Sequence, residues 1–506
     1  MAKTSSLVLL VSSLTKAEKR YFKLYSSIQS GSKNYMVLFD IICQVSDIPD
    51  IKAEFQKKLP GASYEVTSKY LYELLMDALV YLKSKDNDET IKMNQTLSVI
   101  KVLFERSLTT EAFSELQKLK NFASKRGNNV IMLNALLIET EYIRKLNFAD
   151  VAEKDLIDHQ MQVASAIKSV GYAQQHTALY ELIKHRMIHK GNARTAKQKD
   201  ELNDLVVSEM SIIGHSSMNN FEAKKTHLLF QSTYCMIVGD YRSALATFSE
   251  LNLLFENNRD AWKNTVTDYL ECLAGILDSL QTIGRYKEMD EYLLKIENVP
   301  DSHNENALLK LRLIFIYKSA ALLNEGLFDE GIKLIEELRD ELIDKASVLS
   351  FDKQSAIHLH VALIHLSSGR PQHVVKYLNR VLLDYAFFHH SSEYKTLRLI
   401  RLLAQYELNN VDMIDYEVKA LKRQLSSATK TYKLEKLMFK FLQQPLQHMS
   451  QKSRVALWNK IKPEFDELYS DRFEIRIVNI FNFSAWAEAK VLKKSLSKIL
   501  EQRKVS

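Results

Sequence analysis

Glu181, His185 and His189 recur every four residues, which places them on one helical face where they could share a cation. The set lacks a further carboxylate or histidine, and it lacks the glutamate of the H-E-x-x-H metal hydrolases, so a polar stripe is the simpler account. A second group holds His358, His360, His365, His373, His389 and His390. His358 and His365 face the same way but stand about 10 Å apart along a helix axis, too far to share one ion. Solvated or capping histidines are expected there. Ser30-Gly-Ser-Lys33 lacks the first glycine and the final hydroxyl residue of a phosphate-binding loop, and neither a dinucleotide fingerprint nor a nucleophile elbow occurs. The sequence therefore predicts no catalytic residue, no cofactor and no metal, in a protein that is not an enzyme.

Charge offers a different chemistry. The 506-residue chain carries a formal +7. The segment from Leu421 to Ser506 holds 18 Lys+Arg against 8 Asp+Glu, so Met1 to Ala420 is slightly acidic. An anionic partner is best sought at the C-terminal end, with Lys490, Lys493, Lys494 and Lys498 as candidate contacts. Ala485, Ala489, Leu492, Leu496 and Ile499/Leu500 form an apolar stripe beside these lysines, the pattern expected of one amphipathic capping helix.

Composition restricts the elements that must position such groups. Only 12 Gly and 6 Pro occur, too few for the tight turns of a sandwich or barrel, and enough for helices joined by short loops. The fold class expected is all-α. Cys43, Cys235 and Cys272 lie far apart without metal-ligand spacing and are expected to be small buried groups in a reducing compartment. The apolar run Leu7-Val-Leu-Leu-Val11 is too short for a secretory signal, and no window supplies the ~20 apolar residues of a membrane span. A cytoplasmic location is expected.

Internal repetition organises the helices. Gly239, Gly284, Gly326 and Gly369 each end one apolar helix and precede another, at spacings of 45, 42 and 43 residues. Glycine suits that place because helices commonly end in a left-handed residue. Two positions later stand Tyr241, Tyr286, Phe328 and the exception Pro371; five positions later Ala244, Met289, Gly331 and Val374; nine positions later Phe248, Leu293, Ile335 and Leu378. The last two sets share one face of the second helix, where they can pack on the first. Weaker pairs precede this block, at Asn129 to Lys145 with Phe148 to Ile167 and at Tyr172 to His189 with Ala193 to Ile213. Another follows at Glu393 to Leu408 with Val411 to Leu425, where Asn409-Asn410 replaces the glycine.

In these residues, above all Gly239, Tyr241, Ala244 and Phe248, the chain resembles the tetratricopeptide repeat family, with units longer than that family's ~34 residues and with Leu277 where Ser232 stands in the preceding unit. The resemblance implies a right-handed α-solenoid of helical hairpins whose first helices line a concave groove for a protein or peptide. The groove residues it implies are Gln231, Tyr234, Asn324, His358 and Lys395. The phrases LTKAEKRYFKLY near the start and Phe481-Asn-Phe-Ser-Ala-Trp-Ala-Glu-Ala-Lys490 near the end are also similar to those of a family of helical proteins from Bacteroidetes-type bacteria, which implies no activity.

Ahead of the hairpins, Thr15-Lys-Ala-Glu18 reads as a capping box opening an amphipathic helix with Lys16, Lys19, Arg20 and Lys23. Met36 to Val45, Ile51 to Lys58 and Tyr64 to Lys83 follow as helices. The last two, joined by Leu59-Pro-Gly-Ala62, resemble a helix-turn-helix with Thr67, Ser68 and Lys69 at the start of the reading helix. Met1 to Thr90 carries only a net +1, and Glu65, Glu73 and Asp77 would oppose phosphate contacts, so a helical cap is the favoured reading. The organisation expected is 1–90 N-terminal helical domain, 91–425 helical repeats and 426–506 basic C-terminal cap. The function expected is a scaffold for a protein or peptide partner. The alternative is a transcriptional regulator that contacts DNA through its N-terminal helix-turn-helix and senses a peptide through its repeats, with nucleic acid as the partner.

Overall fold

The computed structural model describes residues 2–27, 33–45, 48–85, 89–213, 221–259, 266–300, 304–388, 392–426 and 433–505. His389, His390 and positions 30–32 lie outside them. The described residues form α-helices, short 3-10 turns and one π turn, with no strand among them. The all-α expectation is met. Contacts group the chain into two compact units, Met1–Val163 and Ala164–Ser506, a coarser division than the three expected segments.

The first unit opens with α1 (Ala2–Ser13), α2 (Lys16–Ser27), α3 (Asn34–Gln44), α4 (Ile48–Lys58) and α5 (Tyr64–Lys83). The capping box forms: Thr15 donates its backbone N–H to the Glu18 carboxylate at 2.7 Å, and the Glu18 N–H reaches Thr15 Oγ1 at 3.2 Å. Leu7, Val11, Phe22, Leu38, Phe39, Phe55 and Leu75 bury together as a core of their own. Three more helices, α6 (Glu89–Glu105), α7 (Thr109–Lys125) and α8 (Asn129–Lys145), pack in succession around Ile100, Leu116 and Ala135. Their tight turns pivot on Ser107 (φ 61°) and Gly127 (φ 66°).

Next comes α9 (Glu153–Lys190), 38 residues long. The sequence pattern predicts two helices here, one either side of Gly171. The helix instead runs through Gly171, where a glycine costs only about 1 kcal/mol against alanine and ends nothing by itself.

The second unit continues with α10 (Ala196–Asp200), α11 (Asn203–Ile213), α12 (Phe221–Ile237), α13 (Tyr241–Asn257), α14 (Val266–Thr282), α15 (Met289–Glu297), α16 (Asn304–Glu325), α17 (Phe328–Glu337), α18 (Phe351–Ser367), α19 (Pro371–Asp384), α20 (Ser392–Glu407) and α21 (Val411–Ser426). Gly239, Gly284, Gly326 and Gly369 all have φ between 69° and 80°, and Asn409 takes the same conformation at 61°. The left-handed residue lets the next N–H reach back to a carbonyl five residues earlier, as Arg285 does to Leu280 at 2.9 Å, which satisfies the end of the helix. The positions five and nine after each glycine are buried in all four hairpins.

The chain closes with α22 (Lys433–Leu442), α23 (Gln451–Ser470), α24 (Ile475–Ile480), α25 (Phe483–Leu492) and α26 (Leu496–Val505). The stripe expected on a single helix is split between α25 and α26. Lys493 sits in the left-handed region at φ 52° and the Lys494 N–H returns to the Ala489 carbonyl. Folding back at Lys493 brings Ala485 and Ala489 against Ile499 and Leu500 in one small core, and that burial offsets the strain of a non-glycine left-handed residue. No described helix is long and apolar enough to cross a membrane.

Candidate functional site

The first helices of the hairpins were expected to present a polar groove. Instead, nearly every residue of α14 from Tyr269 on, of α16 from Asn306 to Asn324, of α18 from Lys353 and of α20 from Tyr394 is buried or half-buried. The second helices keep an ordinary exposed face, as α19 does at Gln372, His373, Lys376 and Arg380. The chain's own C-terminal segment covers three of these first helices: α24 packs on α14, α26 on α16 and α22 on α20, whereas α18 packs among its neighbouring repeat helices.

That packing uses four of the C-terminal basic residues, Arg472, Arg476, Lys490 and Lys504. The last carbonyls of a helix lack internal partners and carry the negative end of its dipole. Arg472 Nε donates to the Val238 carbonyl at 3.1 Å, Asn479 Nδ2 to Thr282 at 2.6 Å, and Lys504 Nζ to Glu325 at 3.1 Å. Each acceptor lies at the close of a first helix. Arg476 pairs with Asp278 at 3.4 Å. Glu407, at the end of α20, receives Trp486 Nε1 at 2.8 Å and Lys490 Nζ at 2.6 Å. Trp486 itself meets Tyr406 and Phe441 with ring centres about 6 Å apart. At the far end of α22, the buried Glu474 carboxylate accepts the backbone N–H groups of Lys433 and Leu434.

The sequence-derived groove residues land in several environments. Gln231 and Tyr234 are half-buried on α12. Asn324 is half-buried and lines a shallow depression with Tyr286, Tyr469, Asn479 and Asn482. His358 is corrected from groove wall to interior: it is buried and its Nδ1 lies 2.6 Å from the Tyr377 hydroxyl. Lys395 is likewise buried. Burial lowers its pKa, the Arg194 charge adds to that, and Glu435 on α22 opposes it. Among the proposed anion contacts, Lys490 is committed to Glu407, whereas Lys493, Lys494 and Lys498 are exposed. In the N-terminal helices Ser68 is buried, Thr67 bonds back to the Ser63 carbonyl and Lys69 is exposed near Glu73. Cys272 is buried as expected, but Cys43 is exposed.

The histidines separate in the same way. His185 and His189 lie ring to ring at 4.2 Å on an exposed face. His360, expected to be solvated, is buried with Nδ1 2.7 Å from Ser319 Oγ. Burial holds His358 at about 4 and His360 at about 3, against an ordinary 6.5, and the Arg312 charge adds to the shift of His360. Below pH 6.5 the unfolded chain protonates these rings and the folded chain does not, so stability falls with pH until the folded values are reached. Each ring removes about 1.5 kcal/mol between pH 6.5 and 5. Urea unfolding at pH 7 and pH 5 is expected to show that loss, and His360→Gln is expected to reduce it. A pH dependence identical to wild type would contradict a neutral His360.

One further group of side chains is assembled only by the fold. His176 on α9, Glu209 on α11 and His227 on α12 bring their ligand-type atoms within 4.8 Å of one another. Glu209 stands 33 residues from His176 and 18 from His227, so no local spacing announces the cluster. No family model matches the chain, and neither a curated protein nor a solved structure does.

Proposed function

We propose that this chain is a non-enzymatic, cytoplasmic helical-repeat scaffold, a right-handed α-solenoid of long tetratricopeptide-like hairpins, that binds a protein or peptide partner. Because residues 433–505 already pack on α14, α16 and α20 of the second unit, the partner is assigned to the first unit. The observation that supports this is the uncovered apolar surface of α6 and α8. Val99 and Val102 on α6 are both 52% exposed, and Val130 and Leu137 on α8 are 57% and 48% exposed.

These two helices pack against each other, and each spends one face on the core around Ile100 and Ala135. Single exposed aliphatics are ordinary; paired ones on adjoining helices suit an interface whose affinity comes from a few desolvated anchors.

Affinity capture from the native host with the full-length protein is expected to recover a specific partner. Val102→Glu and Leu137→Glu are expected to weaken its binding by about 30-fold or more, the effect of losing a ~2 kcal/mol anchor, with melting temperatures unchanged because both side chains face solvent. Equal recovery by the stable variants, or no specific partner with either protein, would refute this assignment.

A further inference from the structure

Buried ionisable groups identify a second site, independent of the proposed docking surface. Within the second unit Glu209 is 3% exposed and His176 is 1% exposed, and His227 is largely covered. Glu209 Oε1 is shared between two imidazoles, at 3.2 Å from His176 Nδ1 and 2.7 Å from His227 Nδ1. The other carboxylate oxygen, Oε2, is buried and has no hydrogen-bond partner. Apolar side chains flank it: Leu179, Leu205 and Phe230, each about one helical turn from a member of the cluster, belong to one buried apolar core.

A hydrogen-bonded triad leaves this arrangement incomplete. Two imidazole N–H groups donating to Oε1 satisfy one oxygen and leave a buried carboxylate oxygen without a donor, which costs about 1–3 kcal/mol and more if the group is charged. A divalent cation removes the difficulty, because it accepts lone pairs from both Nδ1 atoms and can draw on either carboxylate oxygen. Ligand atoms about 2.0–2.2 Å from a tetrahedral cation stand roughly 3.3 Å from one another. The His176 to Glu209 separation of 3.2 Å is already of that size. The 2.7 Å to His227 must open by about half an ångström once each imidazole carries its proton on Nε2, and the two Nδ1 atoms, within 4.8 Å of each other, complete the set. Two nitrogens and one carboxylate favour zinc or a neighbouring first-row ion over calcium or magnesium, which prefer all-oxygen shells.

We propose that His176, Glu209 and His227 form a binding site for a divalent transition ion of the zinc class, with three protein ligands and a fourth position open to water. Bound there, the ion ties α9 to α11 and α12. The exposed His185 and His189 pair on the same long helix is not part of the site.

The test uses full-length protein stripped with a chelator and titrated with Zn²⁺ in competition with a chromophoric chelator. One equivalent per chain is expected, with a rise in melting temperature. Glu209→Gln, which keeps shape but removes the anion, is expected to weaken binding by more than the about 100-fold typical of losing a supporting contact. His185→Ala/His189→Ala is expected to bind as wild type does. Should Glu209→Gln fail to fold, Co²⁺ added to the wild-type protein decides the matter through the intense visible bands of a four-coordinate site. Absence of a stoichiometric site, undiminished affinity in Glu209→Gln, or only the weak bands of six-coordinate Co²⁺ would each overturn the proposal.

Discussion

A chain ending at Tyr469 is expected to lose the cooperative unfolding of its second unit. The truncation removes Phe481, Phe483 and Trp486, at 5%, 1% and 1% exposure, together with Val478 from the large core and Ile499 and Leu500 from the small one. Replacing a buried aromatic by alanine costs about 3–5 kcal/mol, so three of them alone approach the 5–15 kcal/mol that holds a typical domain together. The truncation also takes away the Glu474 carboxylate that caps α22 and the donors that close α12, α14 and α16. Calorimetry should find the second unit's transition gone while that of the first unit remains, and limited proteolysis should find rapid cleavage within the second unit. A truncated chain that melts like wild type and loses only a salt-sensitive complex would identify residues 470–506 as a docking arm. The same magnitudes bear on partner binding in the second unit, since a ligand competing for the first helices would first have to expel these aromatics.

The hairpins were legible in the sequence because their signals are local. A glycine in the left-handed region and apolar residues five and nine positions later belong to one helix end and one helix face, and Gly239, Ala244 and Phe248 adopt those roles. The use of the C-terminal charge was not legible. Lysine and arginine on an exposed helix look the same in sequence as lysine and arginine that close other helices. Only the fold brings Arg472 to Val238 and Lys504 to Glu325, 234 and 179 residues away. His358 shows the same limit from the other side. Its neighbours in sequence suggest a polar stripe, but α18 is surrounded, so the ring must find Tyr377 and stay neutral. The break at Lys493 was hidden because nothing near it favours positive φ. Contact between the two halves of the stripe stabilises that conformation, and this information lies in tertiary packing. His176, Glu209 and His227 are the extreme case, three helices contributing one side chain each.

Phe248→Ala is expected to destabilise the protein by about 3–5 kcal/mol, measured by thermal or urea unfolding. Phe248 is 3% exposed on α13, and its ring tip lies where a Cβ on Gly275 of α14 would fall. The ring therefore needs the absence of that carbon, and the two residues form one fitted contact between consecutive hairpins. Gly275→Ala follows from the same geometry. Mid-helix, alanine should stabilise by up to about 1 kcal/mol, but here it must push an aromatic ring out of a close-packed interior, at about 1–3 kcal/mol. The substitution is expected to be destabilising in the wild-type background and neutral or stabilising in Phe248→Ala, where the ring is gone. That reversal is a coupling between neighbours which a double-mutant cycle measures directly. Equal effects of Gly275→Ala in both backgrounds would show that the glycine serves some other contact. An unchanged melt for Phe248→Ala would mean that α13 presents a different face to α14, and the alignment of all four glycine-anchored hairpins would fall with it.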